Sequence, residues 1–177
     1  QGDMLYGMNA IEYGMDMPSS RHLNVIPDTC VTCHKQPSPT NGPAMNKVGG
    51  HTWKLRYDND TPTDENDDTL MTEACSPCHG ATANFNFGGE DYDQDGKVSG
   101  VQTEITNMWN QLFLLLPNDG TNILTNGWGT GAADYSRWAA RYNWSWVKYD
   151  GSTGVHNAKY TAAILRVHPS NYRVEGF

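Results

Sequence analysis

The pentapeptides Cys30-Val31-Thr32-Cys33-His34 and Cys75-Ser76-Pro77-Cys78-His79 contain all four cysteines of this chain. Both have the form Cys-x-x-Cys-His, the pattern of c-type haem attachment. In that chemistry the two thiols of each motif form thioethers to the vinyl groups of a porphyrin, and the histidine that follows binds the iron. The spacing assigns Cys30, Cys33, Cys75 and Cys78 to covalent attachment, and His34 and His79 to the proximal positions of two haem c groups. A four-cysteine zinc site, a pair of disulfides and a thioredoxin-like redox pair use the same cysteines. None of these requires a histidine after the second cysteine, and the chain has six histidines among 177 residues.

Composition points the same way. Hydrophobic residues make up 37% of the chain, with 18 Gly and 9 Pro, and the mean hydropathy is −0.65. So few aliphatic side chains in so loop-rich a chain leave little apolar surface to offset the entropy of ordering it. Porphyrins are expected to fill the core. The longest apolar run, Leu112 to Leu116, is far too short to span a bilayer. A formal charge of −8 disfavours nucleic acid and anionic membrane surfaces as partners. Covalent haem attachment follows export in bacteria and archaea, so the expected location is extracytoplasmic, periplasmic or extracellular. Because Gln1 is not an initiator methionine, the chain is expected to be a processed export product or part of something longer.

Two distal positions have four candidate histidines. His51 sits in Val48-Gly49-Gly50-His51-Thr52-Trp53, where paired glycines let the backbone approach a planar ring and Trp53 can pack beside it. His156 follows Asp150-Gly151-Ser152-Thr153-Gly154-Val155 and opens a predicted helix, Val155 to Val167. His22 lies eight residues before Cys30, near enough to share its loop. His168, beside Pro169 near the C-terminus, reads as a solvated histidine. Met4, Met8, Met15 and Met17 crowd the N-terminus and are expected to fill gaps against a haem face rather than bind iron. Bis-His ligation makes the irons six-coordinate and low-spin, suited to carrying electrons.

A second constellation is Asp91-Tyr92-Asp93-Gln94-Asp95-Gly96-Lys97. Alternate carboxylates followed by glycine converge oxygens on a hard cation, as in the first half of an EF-hand loop. Position 12 of such a loop would be Gln102, so Glu104 is the expected closing ligand. The predicted calcium set is Asp91, Asp93, Asp95, Lys97 and Glu104, with an ordinary acidic turn as the alternative. A helix is predicted over Val101 to Leu116 from apolar residues at three- and four-residue steps before Pro117. Another is predicted over Ala132 to Tyr149, with Tyr135, Trp138, Ala139, Tyr142 and Trp146 as its buried face. Asp58 to Asp68 carries six acidic residues in eleven and reads as a solvated loop. No internal repeat extends beyond the two motifs, since the position matching His51 in a duplication is Gly96.

Together these residues resemble the multihaem c-type cytochromes of anaerobic, metal- and nitrogen-respiring prokaryotes. The resemblance is carried by both haem motifs, the Gly-Gly-His51-Thr-Trp element, the Asp-rich turn and Gly154-Val-His156-Asn157. It implies that His51 and His156 are distal ligands. Such proteins usually carry four or more haems, whereas this chain provides for two, as a compact dihaem member or the C-terminal part of a larger cytochrome. The expected fold is mainly irregular with a few α-helices around a haem core. It forms a single domain over 1–177, with motifs at 30–34 and 75–79, the Asp-rich turn at 91–104 and helices over 101–168. The expected function is electron transfer to redox partner proteins or a terminal acceptor, not catalysis. The alternatives are a subunit that self-assembles into an extracellular filament by stacking haems, and a nitrite- or hydroxylamine-type oxidoreductase with an open iron position.

Overall fold

The computed structural model describes residues 1–166, so His168 and the predicted end of the last helix lie outside the described residues. Most of the described chain is irregular. It carries helices α1 (Gly2–Tyr6), α2 (His22–Val25), α3 (Thr29–His34), α4 (Ser76–His79), α5 (Val101–Leu115), α6 (Ala132–Asp150) and α7 (Ala158–Arg166), and strands β1 (Arg56–Tyr57) and β2 (Thr69–Leu70). The chain divides into two compact units, Asn24–Phe87, and Gln1–Leu23 together with Gly88–Phe177.

The larger unit is built on α5, α6 and α7. In α5 the predicted stripe is the buried one: Val101, Ile105, Met108 and Leu112 are buried, as is Leu116 just beyond the helix. Leu115 points outward at 42% exposure. In α6 the predicted face is corrected in part: Ala139 is buried and Trp146 partly buried against the core as expected. Ser136, Ala140, Asn143, Trp144 and Val147 are also buried, whereas Tyr135, Trp138 and Tyr142 are exposed. At 100° per residue these two sets lie on opposite sides of the helix. The small side chains let α6 close on its neighbours, and Trp144 stacks on Trp109 of α5 with ring centres 4.7 Å apart and planes 10° apart. The Trp109 indole N–H also donates to the Trp144 carbonyl at 2.9 Å, which satisfies Trp109, while the buried Trp144 indole N–H has no partner of its own among the described residues.

The irregular N-terminal segment is held by polar side chains from α6 and the start of α7. Fully buried Asn143 accepts from the Ile11 N–H at 2.9 Å and donates to the Ile11 and Ile164 carbonyls, each at 3.0 Å. The Tyr160 hydroxyl accepts from the Ala10 N–H at 3.0 Å and donates to Glu12 at 2.8 Å. Met4 is buried in the α5–α7 core, with Met17 partly buried against it, while Met8 and Met15 are exposed. These pairings do for a segment without regular structure what ladders do for strands: they satisfy backbone groups away from water.

The smaller unit, Asn24–Phe87, holds both Cys-x-x-Cys-His motifs, on α3 and α4. Its buried apolar cluster is Ala44, Val48 and Met71, with Leu55 and Tyr57 partly buried against it. The antiparallel pair β1–β2 sets Arg56 opposite Leu70 and Tyr57 opposite Thr69. The acidic run between them is an exposed loop, closed by Arg56, which bridges Asp68 at 2.6 Å and Glu65 at 3.4 Å. No helix among the described residues is long and apolar enough to cross a membrane.

Candidate functional site

Both Cys-x-x-Cys-His motifs form short helices, so each histidine follows its two cysteines on one compact turn. The four thiols form no disulfide, and Cys30 and Cys78 are exposed. Burial, and then the neighbouring Cys30, push the Cys33 thiol up. Burial likewise raises Cys75, with Cys33 and Glu73 adding to it. Cys75 senses Cys33, so the two motifs lie within electrostatic range of one another inside the same unit.

Around the first motif the chain is stitched tightly. His34 Nδ1 lies 2.8 Å from the Trp53 carbonyl, which makes Nδ1 the donor and leaves the lone pair of the neutral ring on Nε2. That is the orientation a metal-binding imidazole takes when a second group fixes its tautomer. Trp53 holds a left-handed backbone, φ 58°, costly for a bulky residue, and it sits under the Lys35 ammonium at 5.2 Å. The Gly50 N–H donates to the Gln36 carbonyl at 2.8 Å. Gly49, at φ 67°, passes so close that a Cβ there would lie 2.3 Å from the same carbonyl oxygen. The glycine pair thus brings the exposed His51, in the single turn Gly50–Thr52, alongside the segment that follows the first motif. At the second motif the His79 ring stacks on Phe87, 4.5 Å between centres and 22° between planes.

His156 belongs to the larger unit. The sequence reading starts the last helix at Val155; the helix instead begins at Ala158. Asn157 caps it, its side-chain oxygen accepting the Tyr160 N–H at 3.1 Å and its carbonyl accepting the Thr161 N–H at 2.9 Å. His156 is therefore in the preceding turn, where its Nδ1 meets Asp150 Oδ1 at 2.7 Å. Burial alone would raise the Asp150 carboxyl. The hydrogen bond and charge of His156, with bonds from Ser152, outweigh it and hold that carboxyl below its ordinary range. With Nδ1 donating to Asp150, the neutral ring again carries its lone pair on Nε2. Sequence reasoning missed Asp150 as the orienting group, although it lies six residues upstream at the end of α6. His22 opens α2, half-buried, its backbone N–H donating to the Ser20 hydroxyl at 3.3 Å.

The acidic turn brings together part of its predicted set. Oxygens of Asp91, Asp93 and Glu104 lie within 4.8 Å of one another. They are the described residues that converge in this way, and none is a cysteine or histidine, so no zinc-like convergence of the thiols accompanies them. The Asp95 carboxylate instead accepts the Lys97 N–H at 2.8 Å, and both residues are exposed outside that group.

Comparison with protein-family models, curated proteins and solved structures finds no match to this chain.

Proposed function

We propose that this chain is an electron carrier with two covalently attached haems. The observation that carries the reading is the pair of Cys-x-x-Cys-His motifs inside one unit whose buried apolar cluster is only Ala44, Val48 and Met71. Units below about 70 residues rarely reach stability without disulfides, metals or cofactors, and the four cysteines form no disulfide. Residues and cofactor therefore suit one another: Cys30, Cys33, Cys75 and Cys78 supply the thioethers, and His34 and His79 the proximal nitrogens. Bound there, haem iron supplies one-electron exchange between Fe(III) and Fe(II).

The protein's own part is to orient and tune. The Trp53 carbonyl fixes the His34 tautomer, and the Asp150 carboxylate does the same for His156 while strengthening it as a donor. His51 and His156 are our distal ligands, with His22 a third candidate. A chain with this supply of histidines keeps both irons six-coordinate, which favours electron transfer over catalysis at an open position. The surrounding acidic charge favours the oxidised iron and lowers the potential. Export to the periplasm or beyond belongs to the same proposal.

Optical and electron paramagnetic resonance spectra of the purified protein, with and without carbon monoxide, test it. Two low-spin haems indifferent to carbon monoxide are expected. A haem that binds carbon monoxide or nitrite in the unmodified protein would contradict the carrier reading and favour an oxidoreductase.

A further inference from the structure

The acidic turn differs from an ordinary surface cluster in its burial. Glu104 is fully buried, Asp93 is 3% exposed, and no ion pair among the described residues reaches either. Backbone and amide donors occupy several of the oxygens. Asp93 and Ser99 N–H groups donate to Glu104 at 3.2 and 2.6 Å, Asn107 donates to Asp93 at 2.8 Å, and the Gly96 N–H donates to Asp91 Oδ2 at 3.0 Å. None of these donors cancels the charge of three adjacent carboxylates. Independently, Asp91 Oδ1 is sealed from solvent and has no hydrogen-bond partner. A buried anionic oxygen without donor or counter-ion is costly, and a hard cation is the group that relieves it.

The same cluster is anchored to the His156 turn. Glu104 lies in the first turn of α5, flanked by Val101 and Ile105. A Cβ on Gly154, at φ 94°, would lie 2.7 Å from Ile105 Cγ1 and 3.1 Å from Val101 Cγ2, so the turn rests directly on this part of the helix. The next side chain, Gln102, donates to Thr153 Oγ1 at 2.8 Å and to the Ser152 carbonyl at 3.3 Å. Ser152 in turn bonds Asp150 through its N–H and hydroxyl, and accepts the His156 N–H at 3.2 Å. Asp150 holds the imidazole. The path from Glu104 to His156 is therefore continuous packing and hydrogen bonding within one unit.

We infer that Asp91, Asp93 and Glu104 bind one calcium-class divalent cation, and that this cation fixes the start of α5 and thereby the orientation of the His156 imidazole. The importance of that orientation for haem ligation rests on the electron-carrier reading; the cation site and its coupling to His156 do not.

The test uses the purified full chain, stripped with a chelator and titrated with calcium chloride by calorimetry. The melting temperature and the His156 imidazole signals in a nitrogen-15 NMR spectrum are followed in parallel. One calcium per chain, a raised melting temperature and a shift of the His156 signals are expected. Asp93→Asn and Glu104→Gln should each weaken binding by roughly tenfold or more, because affinity follows ligand charge. Gln102→Ala should keep calcium affinity while reducing the His156 response. No binding to the unmodified chain at about 1 mM free calcium overturns the site even if a variant fails to fold. Binding that leaves His156 unmoved overturns the coupling. A chain that binds calcium and moves His156 but carries no haem supports this inference and defeats the carrier reading; a dihaem chain without calcium binding does the reverse.

Discussion

At the scale of single residues, the two histidines with resolved Nδ1 partners are oriented by different chemistry, and the difference is measurable. His34 meets a backbone carbonyl, which does not titrate, whereas His156 meets Asp150, which does. The folded-state carboxyl of Asp150 is depressed, so its stabilising contribution is present above the unfolded value of about 3.9 and is lost as pH falls through the lower folded value. Acid should therefore release His156 only below the ordinary carboxylate range while His34 keeps its partner, and Asp150→Asn should abolish that step. Nitrogen-15 signals of the two imidazoles across pH 2–6 give the check; equal responses from both rings would refute it. A second residue-level prediction concerns Asn143. Replacing it with Leu leaves three backbone groups, one buried at Ile164 and two part-buried at Ile11, without partners, which costs about 3 kcal/mol. Thermal melting should fall by roughly 6–12 °C. This role was illegible in the sequence, because the partners of Asn143 lie more than twenty positions away and a lone asparagine in a helix carries no sign of them.

Among the elements, what could be read depended on whether period or packing decided. The stripe of α5 follows from its own residues, and Val101, Ile105, Met108 and Leu112 are buried as their spacing requires. For α6 the reading was right at Ala139 and Trp146 but wrong at Tyr135, Trp138 and Tyr142, whose rings face outward, because bulk was taken for burial where Ala140, Asn143 and Val147 are small enough for close approach. The start of α7 slipped by three residues because Asn157, not His156, supplies the capping oxygen. In the Gly-Gly-His element the paired glycines were informative, while the carbonyl of Gln36 that makes Gly49 necessary was not foreseeable from spacing. Gly49→Ala must move that carbonyl or the turn, since its Cβ would stand 2.3 Å from the oxygen in a left-handed conformation. A loss of about 1–3 kcal/mol is expected, read by chemical denaturation. If His51 binds haem iron as we propose, the optical spectrum should change with it as the turn carrying His51 shifts. An unchanged stability would mean that the turn is not held as described.

For the whole molecule, the account rests on a division of labour between two units. One has a core of helices with a largely buried carboxylate cluster; the other has two Cys-x-x-Cys-His motifs and little apolar interior. The two Cys-x-x-Cys-His pentapeptides are local patterns visible before folding, and the structure adds that they lie on the short helices α3 and α4. Axial pairing was not legible, because it depends on how distant segments meet. The acidic turn fell between: alternate aspartates announced it, but only folding separates Asp91 and Asp93, which join Glu104, from Asp95, which turns to its own backbone. If the haems supply the missing interior of Asn24–Phe87, Cys33→Ala with Cys75→Ala should leave that unit unfolded while α5–α7 remain helical, a contrast that hydrogen exchange resolves. The most direct test of the central claim is the mass of the denatured protein isolated from a host competent in c-type maturation. The account predicts the polypeptide mass plus two haems, with colour retained through acid-acetone extraction; a polypeptide carrying one haem, none, or zinc in their place would contradict it.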